Sequence, residues 1–451
     1  MPVYDPPHFR SQRGWLNDPN GLVYVDGVYH LFFQHNPGGN TWGPMNWGHA
    51  TSRDLLSWTE HGVALEPDDL GWIFSGSVVV DHENRLNVQD SAQKTLVAFF
   101  THHDAEAAKR NAEGGFQHQS MAYSLDGGEH WIKHSANPIL PNPGGVQDFR
   151  DPYVLWHPGS SAWIMLVSAG VCVEFYRSTD LLNWAKCSTF DAGEGADAGV
   201  WECPVLCTVP VEEVNETRWV LIQSFMPGGR LGGSGTRYFI GCFDGYVFEV
   251  ERARLGGSRE TPDNWYDWGP DNYAANIWAN LPPHMPGPVS IGWMNNWVYA
   301  NTTKETPFRG QMTLPRSHSI RLIDDKPYLV SEVAFDGVAE TIQEAGLVEE
   351  RIRFDASKSC VIDILCDGEI AVRVAFDAAS SNFRFDRKSS HPTGDGEGFA
   401  GQFDVPRISS ADHVELSIWL GAYCIEAFID DGLQSVSVLL ASAVTAVKLT
   451  H

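Results

Sequence analysis

One turn recurs along this chain, and it constrains the fold more than any other feature. Ser52-Arg53-Asp54-Leu55-Leu56-Ser57-Trp58 returns as Ser178-Thr179-Asp180-Leu181-Leu182-Asn183-Trp184. A looser copy runs Ser124-Leu125-Asp126-Gly127-Gly128-Glu129-His130-Trp131. Each copy reads as the end of a strand, an Asp-led turn and a Trp that opens the next strand. An Asp side chain can bond backbone N–H groups just ahead of it and hold such a turn. The copies lie about 50–75 residues apart, the length a four-stranded propeller blade needs with its loops. At that period, roughly 320 residues make about five blades.

The rest of the chain agrees with an all-β reading. Apolar and polar residues alternate over Leu22–Tyr24, Tyr29–Gln34, Ser77–Val80, Thr95–Thr101, Trp163–Val167 and Trp219–Phe225. Such alternation marks half-buried strands. Asp26-Gly27 and Asp244-Gly245 punctuate them as tight turns. No long helical period precedes residue 320. The character changes near Ile323-Asp324-Asp325-Lys326-Pro327, where Trp becomes sparse. Short strands continue at Val361–Leu365, Ala371–Phe376, Val414–Trp419 and Ile425–Ile429, with Asp430-Asp431-Gly432 as a hairpin turn. The expectation is a five-bladed β-propeller over 1–322 followed by a β-sandwich over 328–451.

Charge and composition narrow the partners. A net charge of −26 repels phosphate, which argues against nucleic acid and anionic membranes. No apolar run reaches the roughly 18 residues of a membrane-spanning helix. The 17 Trp suit a neutral sugar, whose C–H faces pack on aromatic rings, although most are expected in the core. The 8 Cys contain no C-x-x-C pair, so buried free thiols are expected, with no metal and no cofactor. Met1-Pro2-Val3-Tyr4-Asp5 has neither a basic nor an apolar leader, so the expected location is cytoplasmic, or exported with its leader removed. The acidity neither requires nor excludes a homodimer.

Three acidic clusters carry the candidate chemistry. Asp18 lies in Trp15-Leu16-Asn17-Asp18-Pro19-Asn20-Gly21, where two Asn amides can orient a carboxylate or grip hydroxyls. Arg150 and Asp151 are neighbours in Phe149-Arg150-Asp151-Pro152, and on a regular strand they would face opposite sides. Glu202 sits between Trp201 and Cys203, an apolar setting that would raise its pKa toward that of a general acid. Each cluster also has a plain structural reading: an Asx-turn before a strand, a surface ion pair, and a partly buried Glu with a structural partner.

Together the clusters resemble glycoside hydrolase family 32, the invertases, exo-inulinases and levanases. Further segments are similar to that family: Trp42-Gly43-Pro44-Met45-Asn46-Trp47-Gly48-His49-Ala50, Phe74-Ser75-Gly76-Ser77 and Gly292-Trp293-Met294-Asn295-Asn296-Trp297. So are Phe308-Arg309-Gly310-Gln311-Met312-Thr313-Leu314-Pro315-Arg316 and Ile425-Glu426-Ala427-Phe428-Ile429-Asp430-Asp431-Gly432. The resemblance implies a funnel on the propeller axis of a retaining fructan hydrolase. It implies Asp18 as nucleophile, Asp151 as transition-state stabiliser and Glu202 as acid/base. It also implies a sugar site lined by Asn17, Gln34, Trp42, Phe74, Ser75 and Arg150. In that mechanism Asp18 should keep a low pKa and Glu202 the elevated one.

The chain departs from the family in two places. Tyr153 stands where the family often has Lys, and Val205 where sucrose-preferring members often carry an acid. Fructan (inulin or levan) is therefore expected ahead of sucrose. The alternatives are a fructotransferase such as a levan fructotransferase, a non-catalytic sugar-binding propeller, and an inverting five-bladed enzyme acting on arabinan or xylan.

Overall fold

The computed structural model describes residues 8–89, 91–110, 114–191, 199–251, 264–303, 308–335, 348–388 and 398–450. The amino-terminal segment considered above as a leader lies outside them.

Five antiparallel sheets succeed one another along the chain, and each starts with its inner strand. The inner strands are Gly14–Val25, Trp72–Asp81, Phe149–His157, Val200–Pro210 and Tyr273–Ile277, in blades I to V. Each touches the next, and the fifth touches the first, so the ring closes. Blade I gains a fifth strand late in the chain, because Phe308–Arg309 pairs parallel to its inner strand. This is the five-bladed propeller. Two further sheets, of four and five strands, form the carboxy-terminal sandwich. One apolar cluster runs from Leu166 and Phe175 in blade III through Trp201 and Phe239 in blade IV to Val374 and Val436 in the sandwich.

The recurring turn joins the third and fourth strands of blades I to III. Ser52 Oγ accepts from Leu55 N at 2.8 Å, and Asp54 Oδ1 accepts from Leu56 N and Ser57 N at 2.8 and 2.7 Å. The second copy repeats this with Ser178 and Asp180 at 2.9, 3.0 and 2.8 Å. Leu55 and Leu181 take nearly the same left-handed backbone, with φ of 65° and 67°.

In blade V the corresponding turn is Asp324-Asp325, both at positive φ, between Arg316–Ile323 and Lys326–Val333. The expected boundary between 322 and 328 coincides with this hairpin, and the fifth sheet continues to Val333. A loss of Trp marks the outer, last strand of a blade as readily as a new domain.

The feature that builds the site is a break in register near the start of every inner strand. The pairing slips between Leu16 and Pro19, between Ile73 and Gly76, between Glu202 and Val205, and between Tyr273 and Asn276. In blade III it slips across Asp151-Pro152. A bulge re-aims one side chain out of the pleat. Asp151, Cys203 and Ala274 sit at these breaks with φ of 65°, 50° and 52°. Gly76 follows the break in blade II because any Cβ there would lie 1.9 Å from Phe99 O.

Candidate active site

The bulges deliver the three acidic side chains to one place. Asp18 is inside the first strand, where an Asx-turn before a strand was one reading. Its Oδ1 accepts from Asn17 Nδ2 at 3.0 Å and its Oδ2 from Ser75 Oγ at 2.6 Å. Asn17 is itself fixed by Trp15 Nε1 at 2.7 Å. Asp151 Oδ2 accepts from Cys203 N at 3.0 Å. The Cys203 thiol bridges the first two acids, 3.5 Å from Asp18 Oδ2 and 3.6 Å from Asp151 Oδ2. Burial and the two carboxylates push its pKa well up, so it remains a thiol and donates.

Arg150 ties in the third acid. Its Nη2 donates to Glu202 Oε1 at 2.8 Å, its Nη1 to Asp148 Oδ1 at 2.5 Å, and its Nε lies 3.9 Å from Asp151 Oδ2. Arg150 and Asp151 therefore share one face, contrary to regular strand alternation, because the bulge at Asp151 reverses the pleat. The Tyr273 hydroxyl donates to Glu202 Oε2. Glu202 thus sits among polar partners and not in the apolar setting expected from its neighbours. Trp201 points the other way, into the core.

The electrostatics also differ from the expectation for Asp18. Burial raises its pKa, the Ser75 hydrogen bond opposes this, and the Glu202 charge adds to it. Burial pushes Asp151 up to about 7, against Arg150 and with the help of Glu202 and Asp18. Asp148, Asp151 and Glu202 share the Arg150 guanidinium with Asp18 close by, so burial and mutual repulsion hold the Asp151 proton up toward neutrality. A raised carboxyl pKa means that the folded state holds a proton the unfolded chain has released. Stability then falls as pH rises from about 4 to about 7. Asp151→Asn should therefore raise Tm by at least about 2 °C at pH 8, with the difference gone near pH 3. Melting curves of both proteins across that range check this.

The other expected sugar-site residues surround this group. Gln34 is buried on the second strand of blade I, and its Nε2 donates to Ile73 O at 3.1 Å, so it braces the wall. Phe74 stacks on His103 with centroids 4.2 Å apart and planes at 7°. Trp42 is 40% exposed on the loop after that strand and contacts Phe74 edge-on at 6.0 Å. Close to the acids, Asn276 Nδ2 donates to Pro19 O and Gly76 O at 3.2 and 3.5 Å and so ties blade V to the inner strands of blades I and II. Tyr153 and Val205, the two family departures, are buried and line a small cavity there with Asn20, Asp151 and Asn276.

Sequence reasoning missed Tyr273, Asp148 and the bridging role of the Cys203 thiol. For Tyr273 a signal existed, since the fifth blade must offer an inner-strand position equivalent to those of the acids. Among the described residues, the cluster with metal-like spacing is Asp126, Glu129 and His130. It lies on a surface turn, and His130 Nδ1 bonds Asp126 Oδ2 at 2.7 Å, which accounts for it as turn chemistry.

The N-terminal domain signature of glycosyl hydrolases family 32 matches residues 8–332. The chain belongs to that family. It is therefore a glycoside hydrolase. Its relatives include a levanase of Bacillus subtilis (strain 168), 43% identical over 318 residues. That alignment covers 70% of this chain and 44% of the levanase, so this chain matches less than half of that relative's length. An extracellular exo-inulinase of Aspergillus niger is 35% identical over 485 residues, covering 96% of this chain and 89% of the relative. The crystal structure of exo-inulinase from Aspergillus awamori superposes with a TM-score of 0.87 at 32% identity, over 99% of this chain and 96% of that one. A fructofuranosidase from Schwanniomyces occidentalis complexed with fructosylnystose superposes with a TM-score of 0.84 at 27% identity, over 99% and 94%.

Proposed function

We propose that this family 32 hydrolase is a retaining β-fructofuranosidase that cleaves the linkages of fructans, and of sucrose less well. The observation that carries this reading is the convergence of Asp18, Asp151 and Glu202 at the mouth-side bulges of blades I, III and IV. Levanase and exo-inulinase relatives support the substrate class.

In the first step the Asp18 carboxylate attacks the anomeric carbon of the terminal fructosyl unit. The glycosidic C–O bond breaks as Glu202 gives its proton to the departing oxygen, leaving a fructosyl ester on Asp18. In the second step Glu202 takes a proton from water, whose oxygen attacks the same carbon and frees Asp18. Asn17 and Ser75 hold Asp18 in one orientation before substrate arrives. Asp151 accepts hydrogen bonds from sugar hydroxyls that grow more acidic as positive charge develops, which favours the transition state over the ground state. Arg150 and Tyr273 present Glu202.

Methanol offered as acceptor tests the mechanism. Retention gives methyl β-fructofuranoside and a single inversion gives the α anomer, read by NMR on fresh product. The α anomer would replace this reading with an inverting one. Cyclic difructose or longer oligomers in place of fructose would move the enzyme to fructosyl transfer through the same residues. No product from any fructoside would leave a sugar-binding propeller.

A further inference from the structure

Asp151 is held in place by buried side chains of the neighbouring blade. Its backbone is left-handed, with φ of 65°, and a proline follows it. A residue other than glycine keeps such a conformation only where its surroundings over-determine it. Asp151 N donates to Thr101 Oγ1 at 2.9 Å. Thr101 lies on the second strand of blade II, Thr95–His103, and is paired with Gln119 on the third, Gln117–Ser124. The Thr101 hydroxyl donates to Gln119 Oε1 at 2.7 Å, and Gln119 Nε2 donates to Phe149 O at 2.9 Å. Both side chains are fully buried. The direction of this relay is fixed. Phe149 O can only accept, so Gln119 turns its amide nitrogen to it and its oxygen to Thr101. The Thr101 proton is then engaged by Gln119, which leaves the hydroxyl lone pairs for Asp151 N. The relay thus spans the bulge, from the residue two before Asp151 to Asp151 itself. Just beyond it, Ser77 Oγ donates to Pro152 O and accepts from Val154 N, both at 2.9 Å.

The same device recurs between blades IV and V. Ala274 is the left-handed residue of blade V, and its N donates to Ser224 Oγ at 3.1 Å. Ser224 pairs with Thr236 Oγ1 at 3.0 Å, and Thr236 Oγ1 donates to Asn272 O at 3.3 Å. These residues also lie on the second and third strands of the preceding blade, Thr217–Met226 and Gly235–Phe243, and the relay again ends two residues before the bulge. Between blades III and IV the pattern is broken. Cys203 is the left-handed residue of blade IV, and its N donates to Asp151 Oδ2 at 3.0 Å. Ser168 is paired with Arg150 as Ser224 is with Glu202, yet its buried hydroxyl bonds nothing among the described residues. The Asp151 carboxylate has taken the hydroxyl's role there. Asp151 is therefore gripped at both ends, by Thr101 at its N–H and by Cys203 at its carboxylate.

We propose that Thr101 and Gln119 are positioning residues of the reaction, whose relay sets the bulge of blade III so that the Asp151 carboxylate meets the sugar hydroxyls as charge develops. This rests on the proposed role of Asp151 as transition-state stabiliser. Hydrogen bonds that strengthen toward the transition state lose most when their acceptor is displaced, so the effect falls on kcat.

The test is kcat and KM on inulin, levan and sucrose, with Tm measured on the same samples. The proteins are wild type, Thr101→Val, Thr101→Ser and Gln119→Met, each also made on an Asp151→Asn background. Thr101→Val keeps the side-chain shape and removes the hydroxyl. It should lower kcat about 30-fold and change KM by no more than about threefold, and Thr101→Ser should restore most of kcat. On the Asp151→Asn background the same substitution should cost less than about threefold, because the carboxylate that the relay positions is gone. A Thr101→Val kcat within about twofold of wild type would overturn the proposal. So would an equal loss on both backgrounds, whatever happens to Tm, since the relay would then only support the fold. If Thr101→Val does not fold, Gln119→Met carries the same comparison with an expected loss of about tenfold, and the same two outcomes overturn it. A wild type inactive on all three substrates, or an Asp151→Asn protein as active as wild type, would instead overturn the reading of the site beneath it.

Discussion

Asp18→Asn should lower kcat on inulin or levan at least about 10³-fold, and Glu202→Gln should do the same. The two losses should have different origins. The amide at position 18 cannot attack carbon, so no choice of substrate restores the first step. The amide at position 202 cannot donate a proton to the leaving oxygen, yet an activated fructoside with an acidic leaving group needs no such proton. On that substrate Glu202→Gln should recover its first step and stall at the second, where water has lost its base. A burst of leaving group followed by a slow phase, seen by stopped flow, is the expected record. The local geometry favours clean variants, because each substitution keeps the side-chain shape. Arg150 can still bond the Oε1 of a Gln, and the Ser75 hydroxyl can turn to accept from an Asn amide. Near-wild-type turnover in either variant would remove the assigned roles.

Much of this site was legible because its acids sit in short, unusual local contexts. Asp18 between Asn17 and Pro19, Asp151 before Pro152, and Glu202 before Cys203-Pro204 all mark places where a strand cannot pair regularly. The repeated turn was legible for a similar reason, since Ser52 with Asp54 and Ser178 with Asp180 satisfy their own backbone within a few residues. The contacts between blades were not legible. Ser75 reaches Asp18 across 57 positions and Tyr273 reaches Glu202 across 71, and nothing local to either residue names its partner. The reversal that puts Arg150 and Asp151 on one face needs the bulge, and the bulge depends on how wedge-shaped sheets meet at an axis. The raised pKa of Asp18 follows in turn from that convergence, because burial and the Glu202 charge exist only once the ring has closed.

The second large effect expected is structural and lies at the propeller–sandwich junction. Arg316, on the third strand of blade V, is fully buried and donates through Nη1 to Asp267 Oδ2 at 2.8 Å and through Nε to Glu426 Oε2 at 3.2 Å. Ser435 and Ser437 of the sandwich accept from the same guanidinium at 3.0 and 2.6 Å. Glu426 Oε1 in turn takes Leu314 N at 2.7 Å and lies 2.9 Å from His8 Nε2. Removing one member of such a set leaves the others charged and out of water, which costs about 3–5 kcal/mol. Arg316→Met should therefore lower Tm by about 3–5 °C. Neutralising the partners as well, in Arg316→Met with Asp267→Asn and Glu426→Gln, should recover much of that loss, because the penalty comes from unpaired charge and not from lost attraction.

Activity should fall along with stability in the single variant. Asp267 and Asp271 bracket the segment that leads into the inner strand of blade V, and Asp271 is held from the sandwich by Arg387 at 2.6 Å. That strand begins with Tyr273, which positions Glu202. A loosened junction thus reaches the acid/base through a few residues of backbone. Thermal unfolding and kcat measured on the same samples test both halves. An Arg316→Met protein as stable as wild type would mean that the Arg316 cluster does not hold the sandwich to the propeller, and that the Arg387–Asp271 pair and apolar contact do.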